Sequence, residues 1–91
     1  MLRITVAIDG FWTRIALEGR LVGPWVDQLE ACWLQQRATH EPGAIWIDLA
    51  DVAFIDATGK RLLSSFHEQG ARLTATNPLA RATLEEIKRS G

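Results

Sequence analysis

Apolar and polar residues alternate over residues 2–8. Leu2, Ile4, Val6 and Ile8 fall on one face and Arg3, Thr5 and Ala7 on the other, which is the period of a β-strand. Asp9-Gly10 follows, a hairpin signal because glycine accepts the positive φ that tight turns need. Alternation resumes over residues 12–18, with Ile15 and Leu17 on one face and Trp12, Arg14, Ala16 and Glu18 on the other. These two strands are predicted to pair antiparallel. Gly23-Pro24 then opens a helix, since proline suits the first helical position. Trp25, Val26, Leu29, Cys32 and Trp33 recur along one helical face. Residues 39–43 read as a loop and residues 44–49 as a third strand. Ala50-Asp51 is expected to begin a loop, after which residues 52–55 run into the core before Asp56. A second helix is predicted over residues 58–68, burying Leu62, Leu63 and Phe66, with Gly70 closing it. Leu73 and Ala75 mark a short fourth strand, and Asn77-Pro78 starts a third helix carrying Leu84 and Ile87.

The predicted order is β-β-α-β-α-β-α. Strands joined by helices should be parallel, with right-handed crossovers. A strand covered on both faces reads as a continuous apolar run, whereas these mostly alternate. All helices are therefore expected on one face of a mixed sheet, leaving Arg3, Thr5, Trp12, Arg14, Trp46, Arg72 and Thr74 on an open face.

Composition narrows the function classes. With 91 residues, 47% of them apolar, the chain has room for one modest core and one domain. A net charge of −1 gives none of the basic footprint that nucleic acid or an anionic membrane would require. Cys32 is the sole cysteine, so no internal disulfide forms, and a reducing, cytoplasmic setting is expected. The alternating N-terminus reads as neither a signal peptide nor a membrane span. No Ser/His/Asp or Cys/His constellation and no phosphate loop is visible, so neither an enzyme nor a cofactor is expected. Asp48, Asp51 and Asp56 lie at or beyond one strand end, as in a metal site or a receiver domain. A receiver would also need an acidic pair after its first strand, and Asp9 stands alone. His40 and His67 lack ligand spacing, and Cys32 reads as core rather than nucleophile.

Four segments carry a resemblance. Val52-Ala53-Phe54-Ile55-Asp56-Ala57-Thr58-Gly59 is an apolar strand end running into Asp-x-Thr-Gly at a helix start. Leu17-Glu18-Gly19-Arg20-Leu21 precedes the first helix, Ile47-Asp48-Leu49 lies in the third strand, and Gly70-Ala71-Arg72-Leu73 leads into the fourth. In this order they resemble the STAS domain, and within it the bacterial anti-sigma-factor antagonists. The resemblance implies a singly wound fold over residues 1–91, without the final strand and helix common in longer members. It also implies a protein-binding module. Thr58 takes the place of the residue that a serine/threonine kinase anti-sigma factor phosphorylates. Alternatively, the domain is an accessory subunit docking on the ATPase of a lipid-transporting ABC system, with Thr58 as a contact, or it binds a nucleotide or other small ligand. Two features depart from the pattern: Lys60 and Arg61 follow the motif glycine, and Ala57 offers no second hydroxyl.

Each motif residue also has a plain structural reading. Thr58 either meets a partner or simply caps its helix. Asp56 caps the helix or orients the Thr58 hydroxyl, and capping is the favoured role. Gly59 allows close backbone approach. Lys60 and Arg61 are a solvated face or pair with an acidic partner. Trp12 and Trp46, with Arg14, either shield the open face or form a self-association surface. A two-fold homodimer through that face or an exposed sheet edge is the expectation.

Overall fold

The Asp9-Gly10 signal forms the turn its composition requires. Gly10 takes φ 59°, and Asp9 pairs with Trp12 across it. In the computed structural model, which describes residues 1–90, this hairpin joins β1 (Leu2–Asp9) to β2 (Trp12–Leu21). After it come α1 (Pro24–Arg37), a 3-10 turn (Pro42–Ala44), β3 (Ile45–Ile55), α2 (Ala57–Glu68), β4 (Arg72–Thr74) and α3 (Pro78–Ser90). The sheet order is β1-β2-β3-β4. The hairpin is antiparallel, while β2/β3 and β3/β4 are parallel. No helix among the described residues is long and apolar enough to cross a membrane.

The core lies between one sheet face and the helices. Ile15, Leu17, Ile47, Leu49, Val52 and Leu73 meet Val26, Leu29, Trp33, Leu63, Phe66, Leu84 and Ile87. Trp33 of α1 stacks on Phe66 of α2, with ring centroids 4.1 Å apart. Burying two such rings against each other gains both area and dispersion. Trp25 and Cys32, predicted on the same helical face, are only half-buried at its margin. Gly70 ends α2 at φ 104°, with Ala71 N–H donating to the Phe66 carbonyl.

Two expectations change. The third strand does not stop at Leu49: β3 runs unbroken through Ala50 and Asp51 to Ile55. Its register against β2 shifts between Ala16 and Glu18, which face Asp48 and Asp51, and again between Gly19 and Arg20, which face Val52 and Phe54. Each shift gives β3 one extra residue. A bulge of this kind resets which face the following side chains occupy, so Leu49 and Val52 are both buried. The extra residue of the first shift falls at Leu49-Ala50, and Asp51 is already back in register opposite Glu18, so Ala50-Asp51 belongs to the strand rather than to a loop.

The second change concerns β1. Leu2 is buried and Ile4 partly so, but Val6 is 39% exposed and Ile8 70%. The apolar face of β1 outruns its helical cover, and its turn end is bare.

Candidate functional site

The site is built where β2, β3 and α2 converge. Leu21, the last residue of β2, accepts a hydrogen bond from Asp56 N–H at 3.1 Å. The first turn of α2 is drawn down onto it. A Cβ on Gly59 would sit 2.9 Å from the Leu21 carbonyl oxygen and 3.2 Å from Ile55 Cγ2. Gly59 is therefore the close-approach residue, and the surface it meets is the end of a neighbouring strand.

Asp56 is the N-cap of α2: its Oδ1 accepts the Gly59 N–H at 2.7 Å. The carboxylate also reaches outside the helix, since Oδ2 accepts the N–H of Gly23 at 3.0 Å, and Gly23 is the N-cap of α1. One side chain thus serves two helix starts, where unsatisfied donors and the dipole favour negative charge. Hydrogen bonds from Gly59, Gly23 and the Thr58 backbone and hydroxyl hold its pKa below the ordinary aspartate range.

Thr58 does not cap α2, which corrects one of the two roles expected of it. It lies one residue inside the helix, exposed, with its hydroxyl turned to the Asp56 carboxylate. Lys60 is engaged within the chain, ion-paired to Glu86 of α3, and this pairing holds the Glu86 carboxyl below its usual range. Arg61 is exposed. Ala57, Lys60, Arg61, Ser64 and Ile87 line a groove of about 310 Å³ between α2 and α3. The structure thus brings Asp56, Thr58, Gly59, Lys60 and Arg61 to one corner.

Trp12, Arg14 and Trp46 gather elsewhere, on the open sheet face. Arg14 Nε donates to Asp48 Oδ2 at 3.0 Å, and its guanidinium carbon lies 5.3 Å from the Trp46 ring centre. Trp46 Nε1 donates to the Thr74 hydroxyl, and Arg72 stands over Trp12 at 5.8 Å. Both rings are half-buried under these side chains, a cation–π arrangement that shields the apolar surface. Asp48 is committed to Arg14 and to the Ala50 N–H, and Asp51 is exposed. Among the described residues no group of three His, Cys, Asp or Glu is placed to hold a metal. Burial raises the Cys32 thiol pKa, which disfavours the nucleophilic thiolate.

The chain matches no protein-family model and no curated protein. Solved structures do resemble it. An uncharacterized protein from Shewanella loihica with a SpoIIAA-like fold superposes with a TM-score of 0.61 at 10% identity, covering 98% of this chain and 79% of that one. The fold is SpoIIAA-like. This is the STAS-type arrangement, with its mixed sheet and β-β-α-β-α-β-α order. Mglu superposes with a TM-score of 0.61 at 21% identity over 81% of this chain, and in its native form with 0.58 at 20% identity. The chain spans about a fifth of Mglu's length, 19% and 22% in the two structures. At these identities the likeness is one of fold.

The two-helix role of Asp56 has a pH signature. Because the folded pKa is lowered, its contribution is complete above the unfolded value of about 3.9. It is lost as pH falls through the lowered folded value. Asp56→Ala is expected to lower the thermal midpoint by several degrees at neutral pH. Asp56→Asn keeps a capping oxygen without the charge, so it should lose less at neutral pH. The gap between wild type and Asp56→Asn should close on acidification. Thermal unfolding from pH 7 to pH 2 checks this, and a gap that does not change with pH would refute the charge-assisted cap.

Proposed function

We propose that the chain is a partner-binding regulatory module of the anti-sigma-factor-antagonist kind, without turnover of its own, in which the α2 corner docks and Thr58 is the phosphoacceptor. One observation carries the reading: an exposed hydroxyl stands in the first turn of a helix, on a surface the protein does not otherwise cover. The groove lined by Ala57, Lys60, Arg61 and Ser64 of the same helix supplies apolar area, and exposed Arg61 supplies a positive charge without an ion pair among the described residues.

The same geometry explains how phosphorylation would end binding. Transfer of the ATP γ-phosphoryl group to Thr58 Oγ1 replaces the hydroxyl proton that faces Asp56. It also brings about −1.5 to −2 charge against that carboxylate. The phosphate then competes with Asp56 for the N–H donors of the α2 start. A partner surface fitted to a neutral hydroxyl meets charge, bulk and a disturbed helix end.

A serine/threonine kinase anti-sigma factor is the partner this reading calls for. Thr58→Ala should keep binding and abolish phosphoryl transfer, while Thr58→Glu should weaken binding at least tenfold, or about 1.4 kcal/mol. Capture from the native host identifies the partner, intact-mass measurement after incubation with ATP scores the transfer, and titration scores affinity. Equal binding by Thr58→Ala and Thr58→Glu would sink the switch. Capture of an ABC ATPase, with no mass increment on Thr58, would move the protein to the accessory-subunit role.

A further inference from the structure

The longest free sheet edge is β1, and its sequence is nearly self-complementary. Reading Arg3-Ile4-Thr5-Val6-Ala7-Ile8-Asp9 against a reversed copy, Val6 meets Val6, Ile4 meets Ile8, Thr5 meets Ala7 and Arg3 meets Asp9. We propose that two copies of this chain pair antiparallel along β1, with the two-fold axis at Val6, joining their sheets into one.

Backbone phase permits this register. Antiparallel partners alternate between hydrogen-bonded and non-hydrogen-bonded pairs. Arg20 N–H donates to the Met1 carbonyl at 3.0 Å, and a two-residue turn is closed by the pair Asp9 and Trp12. Odd-numbered residues of β1 therefore bond to β2. Ile4, Val6 and Ile8 turn their N–H and C=O groups to the free edge. With Val6 on the axis, these same residues face one another, so each copy satisfies the other's orphan groups.

The side chains agree on both faces. On the helix side, Val6 and Ile8 are exposed in the single chain, and Ile8 would lie beside the second copy's Ile4. On the open side, Arg3 of each copy faces Asp9 of the other at a non-hydrogen-bonded position, where side chains approach closest. Arg3 and Asp9 form no ion pair within the chain among the described residues. A parallel pairing in register would set Arg3 on Arg3 and Asp9 on Asp9, so the charges also choose the direction. This surface is distinct from the face of Trp12, Arg14 and Trp46, whose rings are already covered by Arg14 and Arg72.

Sedimentation velocity across a concentration series tests the register. Wild type should dimerise. Arg3→Asp or Asp9→Arg turns both symmetry-related pairs into like charges, which should weaken dimerisation by about tenfold to a hundredfold. The double variant Arg3→Asp with Asp9→Arg restores opposite charges and should recover wild-type affinity within about threefold. Val6→Pro removes an outward N–H and should be monomeric, since edge positions tolerate proline. Thermal unfolding of each variant separates lost pairing from lost folding. A protein monomeric at every concentration would overturn the proposal. So would single reversals without effect, a double variant that stays weak, or a dimer lost only on Trp46→Ser.

Discussion

Asn77→Asp is expected to destabilise the fold by about 3 kcal/mol, although aspartate and asparagine cap helices about equally well. Asn77 Oδ1 accepts the Ala80 N–H at 2.8 Å, and an aspartate would keep that bond. The cost lies at the other end of the side chain. Nδ2 is within 3.1 Å of the Ala50 and Val52 carbonyls and 3.3 Å of the Leu49 carbonyl. Leu49 and Ala50 lie in the first β3 bulge and Val52 just past it, where the ladder with β2 changes register and is locally disrupted. The amide has two hydrogens to give them. A carboxylate has none, and it points a negative oxygen at three carbonyl dipoles. An unsatisfied buried acceptor costs about 1–3 kcal/mol, and more beside a charge. Asn77→Ser keeps a cap and removes the donor without adding charge, so it should cost less, about 2 kcal/mol. Urea unfolding with an unchanged slope would report both as stability. If Asn77→Asp were neutral, the amide would not be what holds the bulge.

The second large effect is at Gly59. Helix propensity alone predicts that Gly59→Ala would stabilise α2 by about 1 kcal/mol. The opposite sign is expected, a net loss of about 1–2 kcal/mol, because the new methyl would meet the Leu21 carbonyl oxygen at 2.9 Å and Leu21 Cγ at 3.0 Å. A backbone oxygen cannot rotate away, so the helix start must lift. Gly59→Val adds two branches against Ile55 and Leu21 and should lose about 3 kcal/mol. Lifting α2 also moves Thr58 and stretches the Asp56 bonds. If the α2 corner docks a partner as proposed, affinity should therefore fall even in Gly59→Ala protein that remains folded. A stabilised Gly59→Ala variant with unchanged affinity would show that the contact is not close in solution.

What was legible in the sequence follows from how local each signal is. The hairpin, the helix faces and one-sided cover are periodic patterns, and they fixed element order. Asp56 at a helix start is a local cap signal, but its bond to Gly23 links residues 33 apart and has no sequence trace. The polar break at Ala50-Asp51 reads as a loop because a bulged strand and a loop share composition there. The difference lies in register against β2 and in Asn77, whose role from 25 or more residues away no periodicity reports. On β1 the alternation correctly gave one apolar face. How far the helices extend over that face is a tertiary fact, so no sequence pattern reports the bare Val6 and Ile8. The alternation places the tryptophans on the open face, but the arginines over them depend on cross-strand neighbours such as Arg14 and Trp46.

The bond from Asp56 to Gly23 also has a kinetic consequence. It closes the β2-α1-β3 unit like a clasp. Residue 56 reaches residue 23 only once β3 lies beside β2 and α1 has folded back across them. A contact that needs the whole unit assembled is expected to form late in folding. Its removal by Asp56→Ala is therefore expected to speed unfolding more than it slows refolding, which stopped-flow unfolding and refolding would measure. If Thr58 phosphorylation loosens the same clasp, the modified protein would differ chiefly in lifetime: it would open more often while folding as fast as before.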